Sequence, residues 1–451
     1  MNRTPPQLTV DYEARLNGAD EPLKRLIRQQ LTLENPKYRD ARKYSRWIGK
    51  ELKPQLHFFR EEGGELIFPR GFANQAVLLC RQTGAGEPTI IDRRTLAAPV
   101  SLSFRGELRP YQQKALAAIL ARDFGVLEAG TGSGKTVIAL AALAARRQPA
   151  LILVHTKELL HQWAERIREF LGIEAGLIGD GHYQLRPLTV AIVNSARRRL
   201  TELPGRFGQI CVDECHRVPA SLFTEVVTAF ACRYMLGLSA TAFRRDGLTR
   251  LIHLYLGDPV HKVCTRDLEQ SGAVLKAELM PRPTEFRYVY RGNYQALMKA
   301  LTADPARNRQ IVADIVREAA MADTTGTLLV VSDRVQHCEQ LARLLAEQEI
   351  ACEVLTGATP AERRQAVVEA IRAGKLKVVI STVQLIGEGF DCPGLHTLFL
   401  TTPIKFSGRL LQVVGRILRP AAGKQPRVYD YIDPVGALRA AAQARAQTLQ
   451  T

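Results

Sequence analysis

Cysteine is scarce and never closely paired: eight thiols occur in 451 residues, and no two stand as C-x-x-C. That argues against a zinc ribbon or a Cys-ligated iron–sulfur cluster, so the thiols are expected to be reduced and packed as small apolar groups. Long hydrophobic runs are missing too. The most apolar stretch, "VIALAALAA" at 137–145, is too short for a membrane span and runs into Arg146 and Arg147. The opening "MNRTPPQLTVDYEARL" has no apolar signal-peptide core. A cytoplasmic protein with no membrane partner is expected. Acidic residues are in deficit, 45 against 62 Lys and Arg, for a net charge of +17. A surplus of that size favours a polyanionic partner, although a merely basic enzyme would share it.

What is present is globular, with 46% hydrophobic and 24% charged residues. The length exceeds one ordinary core and predicts two or three domains. Residues 1–100 read as a small α+β domain. It carries the basic, aromatic-dotted run "KYRDARKYSRWIGKELK" at 37–53 and strand-like pieces at 65–72 and at 75–80, "QAVLLC". From about 105 onward, apolar strand runs alternate with helical spacing. Strands are predicted at 125–130, 150–156, 188–195, 208–214 and 234–241, with helices over 135–147 and 157–171. A less regular stretch at 258–290 marks a junction. The alternation then resumes through strands near 326–332, 352–357, 377–382, 396–402 and 427–432. Such alternation implies parallel sheets covered by helices. The expected division is 1–100, 101–265, 266–440 and a tail, 441–451, read as helical or frayed.

The strongest local signal is "EAGTGSGKT" at 128–136, between a strand and a helix. Gly130, Thr131, Gly132, Ser133 and Gly134 form a backbone cradle for phosphates. Lys135 supplies a cation to the outer phosphates, and Thr136 a hydroxyl to Mg2+. An NTPase of this kind also needs an acid at the end of a second strand. "QICVDECH" at 209–216 provides Asp213 for the metal and Glu214 for the attacking water. The alternative is a metal knot using Cys211, Asp213 and Cys215 on one strand face. It lacks a second Cys/His pair nearby.

These motifs, in this order over about 105–435, resemble the superfamily 2 DEAD/DEAH-box-like helicases. The resemblance implies two tandem RecA-like P-loop domains with parallel sheets, an α/β fold, behind the small N-terminal domain. It implies ATP and Mg2+ as cofactors and a seam between the two domains as the nucleotide site. "LRPYQQKAL" (108–116) implies adenine contacts from Arg109 and Gln112. "VHTKELLHQW" (154–163) and "VNSARR" (193–198) imply nucleic-acid contacts from His155, Thr156, Lys157 and Ser195. "LSAT" implies coupling through Ser239 and Thr241. "ISTVQLIGEGFDCPGL" (380–395) implies Thr382 on a backbone phosphate, with Gly387 and Asp391 at the nucleotide. "LLQVVGRILRP" (410–420) implies Gln412, Arg416 and Arg419 as catalytic residues, with the two arginines stabilising the transition state by their charge. His216 would report nucleotide state through Gln412 or Ser239.

"LRPYQ", "DECH" and "FRRDG" lie nearest the XPB and UvsW type of DNA helicase or translocase. An ATP-dependent motor on duplex or branched DNA, of low sequence specificity, is therefore expected, in repair, recombination or branched-DNA processing. An RNA helicase, or a restriction or defence motor that separates no strands, stays open. Trp47, among the basic residues of 37–53, is a candidate stacking contact, or else packs inward on an amphipathic helix. Asp40 with Glu51–Leu52–Lys53 is a faint match to a D…E-x-K nuclease core, without the strand context.

Overall fold

The computed structural model describes residues 5–43, 47, 49, 51–217, 220–240, 248–321, 326–387, 394–404, 407–421 and 423–450. Two compact units emerge. The first holds the chain up to Ala129 and Gly134–Val263, and the second Gly130–Ser133 with Cys264–Thr451.

The first unit contains an eight-stranded sheet among its described residues. Its order is His182–Gln184, Gly176–Gly179, Leu188–Ile192, Ala150–Val154, Gln209–Val212, Tyr234–Ser239, Phe124–Ala129, Pro259–Val263. All neighbours are parallel except the hairpin of the first two strands. Its central strands read as continuous apolar runs because helices cover both faces. Ala150–Val154 is buried along its whole length. The Lys157–Leu171 helix begins where the Thr156 hydroxyl accepts from Leu159 N–H at 3.3 Å, and it ends at Gly172. Leu160, Trp163, Ile167 and Leu171 line its buried face, at the i, i+3/i+4 spacing of an amphipathic helix.

Among its described residues the second unit holds a six-stranded parallel sheet, Glu278–Pro283, Arg427–Ile432, Leu395–Leu400, Thr327–Ser332, Val378–Thr382, Cys352–Leu355. The Pro305–Ala320, Val335–Ala346, Ala361–Arg372 and Ser407–Ile417 helices accompany it. The tail is a helix, Gly436–Gln450.

Two stretches depart from the sequence reading. "QAVLLC" lies inside the Ala73–Gln82 helix, where Ala73, Ala76 and Cys80 make the buried face. Six apolar residues cannot by themselves distinguish strand from buried helix. The stretch at 258–290 carries two strands, Pro259–Val263 and Glu278–Pro283. Each is an edge strand of its sheet. An edge position tolerates proline because one row of backbone groups faces away from the ladder.

The N-terminal residues form a sheet ordered Arg60–Glu62, Glu65–Pro69, Glu13–Asn17, Gln7–Val10, Thr89–Asp92. This module does not stand apart from the first α/β sheet. Leu254, from the Thr249–Leu256 helix, joins the core of Leu8, Leu16, Ile27 and Phe68. The Arg70 guanidinium is buried and donates to the Cys232 carbonyl at 2.8 Å and the Asp11 carbonyl at 3.1 Å. Gln75 donates to Asp258 at 2.8 Å. At Gly71 a Cβ would sit 2.6 Å from the backbone of His253, Leu254 and Gly257. Gly71→Ala is therefore expected to lower stability by about 1–3 kcal/mol through overpacking, measured by chemical denaturation. A neutral result would mean that this contact is loose.

Candidate nucleotide-hydrolysis site

Parallel sheets gather functional groups at the carboxyl ends of their strands. In the first unit these ends lie side by side. Ile192 leads into Ser195, Val154 into His155 and Thr156, and Val212 into Asp213 and Glu214. Ser239 closes Tyr234–Ser239, and Ala129 leads into the phosphate loop. Gly134 is the N-cap of the Lys135–Arg146 helix with φ 71°. Glycine suits this position twice over. It adopts the left-handed conformation without Cβ strain, and a Cβ would come 2.5 Å from Gln112 Nε2. Gln112 is thus set beside the loop. Its side-chain oxygen accepts from Arg109 N–H at 2.9 Å, at the start of the Pro110–Leu120 helix.

The acids are held in distinct ways. Asp213 is buried, and its carboxylate accepts from Trp163 Nε1 and from Glu214 N–H, both at 2.9 Å. Burial pushes this carboxyl up, against the pull of Lys135. Glu214 has φ 46°, a left-handed backbone that a non-glycine residue rarely adopts. Such strain concentrates at functional sites. One Glu214 oxygen accepts from the Lys135 ammonium. The other lies 3.3 Å from His216 Nδ1. Burial alone would raise Glu214, yet Lys135 and then His216 hold it at about 2. Burial would likewise lower Lys135, but Glu214 and Asp213 raise it above the usual range. The pair is fully charged at neutral pH. His216 Nδ1 also meets Ser239 Oγ at 2.9 Å. Burial lowers this imidazole to about 4, so it is neutral at pH 7.

Lys135, Asp213, Glu214, His216 and Ser239 therefore form one connected cluster. Trp163 was not legible as a member of it. The only sequence signal was that a buried indole N–H needs an acceptor. The metal-knot alternative finds no support. Cys215 packs in the apolar core, and among the described residues no group of three or more His, Cys, Asp and Glu could hold a metal. The Thr156 hydroxyl is engaged as a helix cap. Lys157 is exposed in the first turn of that helix.

In the second unit, Gln412 and Arg416 are four apart on the Ser407–Ile417 helix, hence on one face. Gln412 is buried. Arg419 follows the helix end, and its carbonyl accepts from Lys424 at 2.8 Å. Thr382 ends the Val378–Thr382 strand and Gly387 the Val383–Gly387 helix. Thr241 and Asp391 lie outside the described residues. Trp47 is 90% exposed rather than packed inward.

Comparison with known proteins decides the family. "Type III restriction enzyme, res subunit" matches residues 105–244, and "Helicase conserved C-terminal domain" matches 309–421. The chain belongs to the superfamily 2 helicases. This helicase is 27% identical over 348 residues to "DNA 3'-5' translocase XPB2" of Sulfurisphaera tokodaii, covering 69% of this chain and 79% of that one. It is 28% identical over 351 residues to "Probable helicase D10" of Escherichia phage T5, covering 76% and 75%. Among solved structures, S. cerevisiae Dbp5 bound to RNA and ADP BeF3 shares the fold at TM-score 0.54 and 14% identity, over 76% of this chain and 86% of Dbp5. The helicase is an ATP hydrolase, and its sheets match the tandem RecA-like architecture expected from its motifs. Among the described residues no helix is long and apolar enough to cross a membrane.

Proposed function

We propose that this helicase couples ATP hydrolysis to translocation along, or unwinding of, DNA. The observation that carries the reading is the charged Lys135–Glu214 pair beside the anchored Asp213 and the His216–Ser239 contact. Lys135 binds the outer phosphates when nucleotide enters, and Glu214 is thereby released to orient water. Thr136 and Asp213 offer a hydroxyl and a carboxylate, the hard oxygen donors that Mg2+ takes alongside substrate phosphates. When bound, the ion neutralises charge on those phosphates. Arg416 and Arg419 stabilise the transferring phosphoryl group, and Gln412 positions it. Arg109 and Gln112 frame the base. His216 passes the nucleotide state to Ser239. The proposed division of the chain is 1–100, 101–265, 266–440 and a C-terminal tail, 441–451.

The relative named for DNA 3'-5' translocation supports DNA as the track, as does the net charge of +17. An N-terminal cleft of about 560 Å3 adds a grip, with Tyr38, Arg39 and Arg42 among its lining residues. Exposed Trp47 supplies a stacking face near it in sequence. ATPase assays with duplex DNA, single-stranded DNA and RNA test the reading. DNA is expected to stimulate turnover at least about tenfold, with steep loss on added salt. Arg42→Ala with Trp47→Ala is expected to raise the DNA concentration needed, not to lower the maximal rate. Stimulation by RNA alone would turn the reading to an RNA helicase, and no stimulation by any nucleic acid would sink both. The restriction-enzyme description matched by residues 105–244 favours a second reading, a motor that translocates without separating strands. Triplex displacement without fork unwinding would select it.

A further inference from the structure

His155 stands outside the chemistry described so far, and by resemblance it belongs to the nucleic-acid track. Its surroundings are those of the hydrolytic acids. It directly follows the Ala150–Val154 strand, which runs parallel beside Gln209–Val212 with Leu153 opposite Val212. Asp213 N–H donates to the Leu153 carbonyl at 2.9 Å. His155 is therefore level with Asp213 and Glu214, one strand over. Its ring lies within electrostatic reach of Arg217, Glu214 and Lys135.

Both ring nitrogens are buried, and neither finds a protein hydrogen-bond partner among the described residues. The contrast with buried His337 is sharp. There Nδ1 meets Ser332 Oγ at 2.9 Å and Nε2 meets Asn308 Oδ1 at 3.0 Å. A buried polar group without a protein partner is satisfied by water or ligand, or else it is costly.

We propose that His155 is a second acceptor for the water that attacks the terminal phosphate of ATP. Water has two O–H donors. Glu214 accepts one, and a neutral ring nitrogen of His155 accepts the other. An oxygen lone pair then faces phosphorus. In the step, the water oxygen bonds to phosphorus and the bond to the bridging oxygen breaks, its electron pair leaving on ADP. One water proton passes to Glu214. His155 stays neutral and only orients. Burial supports this, since it lowers the ring to about 4.

The proposal rests on the ATPase reading above, and one experiment separates the two. DNA-stimulated ATPase, single-turnover hydrolysis and melting curves are measured for the full chain, His155→Leu and His155→Gln. Leu keeps bulk but removes the acceptor, and Gln restores an acceptor oxygen. His155→Leu is expected to lower kcat about 100-fold with the KM for ATP changed less than about threefold. His155→Gln is expected to recover most of that loss. A Leu variant within about twofold of the full chain's kcat would overturn the proposal. So would Leu and Gln variants that are equally slow, because shape rather than an acceptor would then matter. Should the Leu variant not fold, His155→Asn, whose amide stops short of the water, takes its place. An Asn variant at the unmodified rate overturns the proposal in the same way. If the unmodified chain hydrolyses no ATP under any condition, the ATPase reading falls instead.

Discussion

Glu214→Gln is expected to reduce ATP turnover about 10³-fold while ATP still binds. The amide keeps the shape of the carboxylate, so it strains the left-handed backbone at φ 46° no more than Glu does. What it loses is the capacity to take a proton and the full charge that orients water. Lys135 loses its direct partner, but buried Asp213 remains as a counter-charge close enough to raise its pKa. The phosphate loop should therefore persist, and with it nucleotide affinity. Phosphate release under steady-state conditions, set beside equilibrium binding of ATP, checks both halves. Hydrolysis near the unmodified rate would show that Glu214 is not the group acting on water. Tight binding together with lost turnover would leave the protein held on DNA in its ATP-bound form, visible as a slow off-rate.

Much of this site was legible because its chemistry sits at strand ends. A buried parallel strand is a short apolar run, and the first polar residues after it mark the catalytic edge of the sheet. That logic located Asp213, Glu214 and the loop before Lys135, whereas Ser239 was named by the helicase resemblance. The same resemblance implied His216 acting through Ser239 or Gln412, and His216 Nδ1 lies 2.9 Å from Ser239 Oγ. What depends on three-dimensional closure was not legible. Trp163 reaches Asp213 across 50 positions of sequence. The environment of His155 follows from strand order, which sequence alone does not state. The edge strands at Pro259–Val263 and Glu278–Pro283 were hidden by their prolines. The packing of the N-terminal module on the Thr249–Leu256 helix joins residues far apart in sequence. It changes what a truncation would test. Removing residues 1–100 would strip cover from Leu254 and Cys232, so point substitutions such as Arg42→Ala are the cleaner probe of DNA grip.

Asp433→Ala is expected to have the largest effect on stability. Asp433 and Arg307 are both almost fully buried in the second unit. Arg307 donates from Nε to one carboxylate oxygen at 2.8 Å and from a terminal nitrogen to the other at 3.3 Å. The Thr284 hydroxyl donates to the first oxygen at 2.6 Å. The guanidinium also lies 5.6 Å over the Tyr431 ring. This single carboxylate ties together three pieces: the start of the Pro305–Ala320 helix, the end of the Arg427–Ile432 strand and the residue after Glu278–Pro283. Alanine leaves a buried cation without its counter-charge, which costs about 3–5 kcal/mol. At about 2–4 °C per kcal/mol for a unit of this size, melting should fall by roughly 6–20 °C. A change below about 1 kcal/mol would mean that water reaches the guanidinium and that the pair is effectively at the surface. Arg307→Leu with Asp433→Leu removes both charges, and it is expected to recover much of the loss, because a desolvated pair contributes little beyond an apolar replacement of similar volume. The deficit of the single variant therefore measures the stranded charge, not the strength of the bridge. The double variant, melted alongside, separates the two.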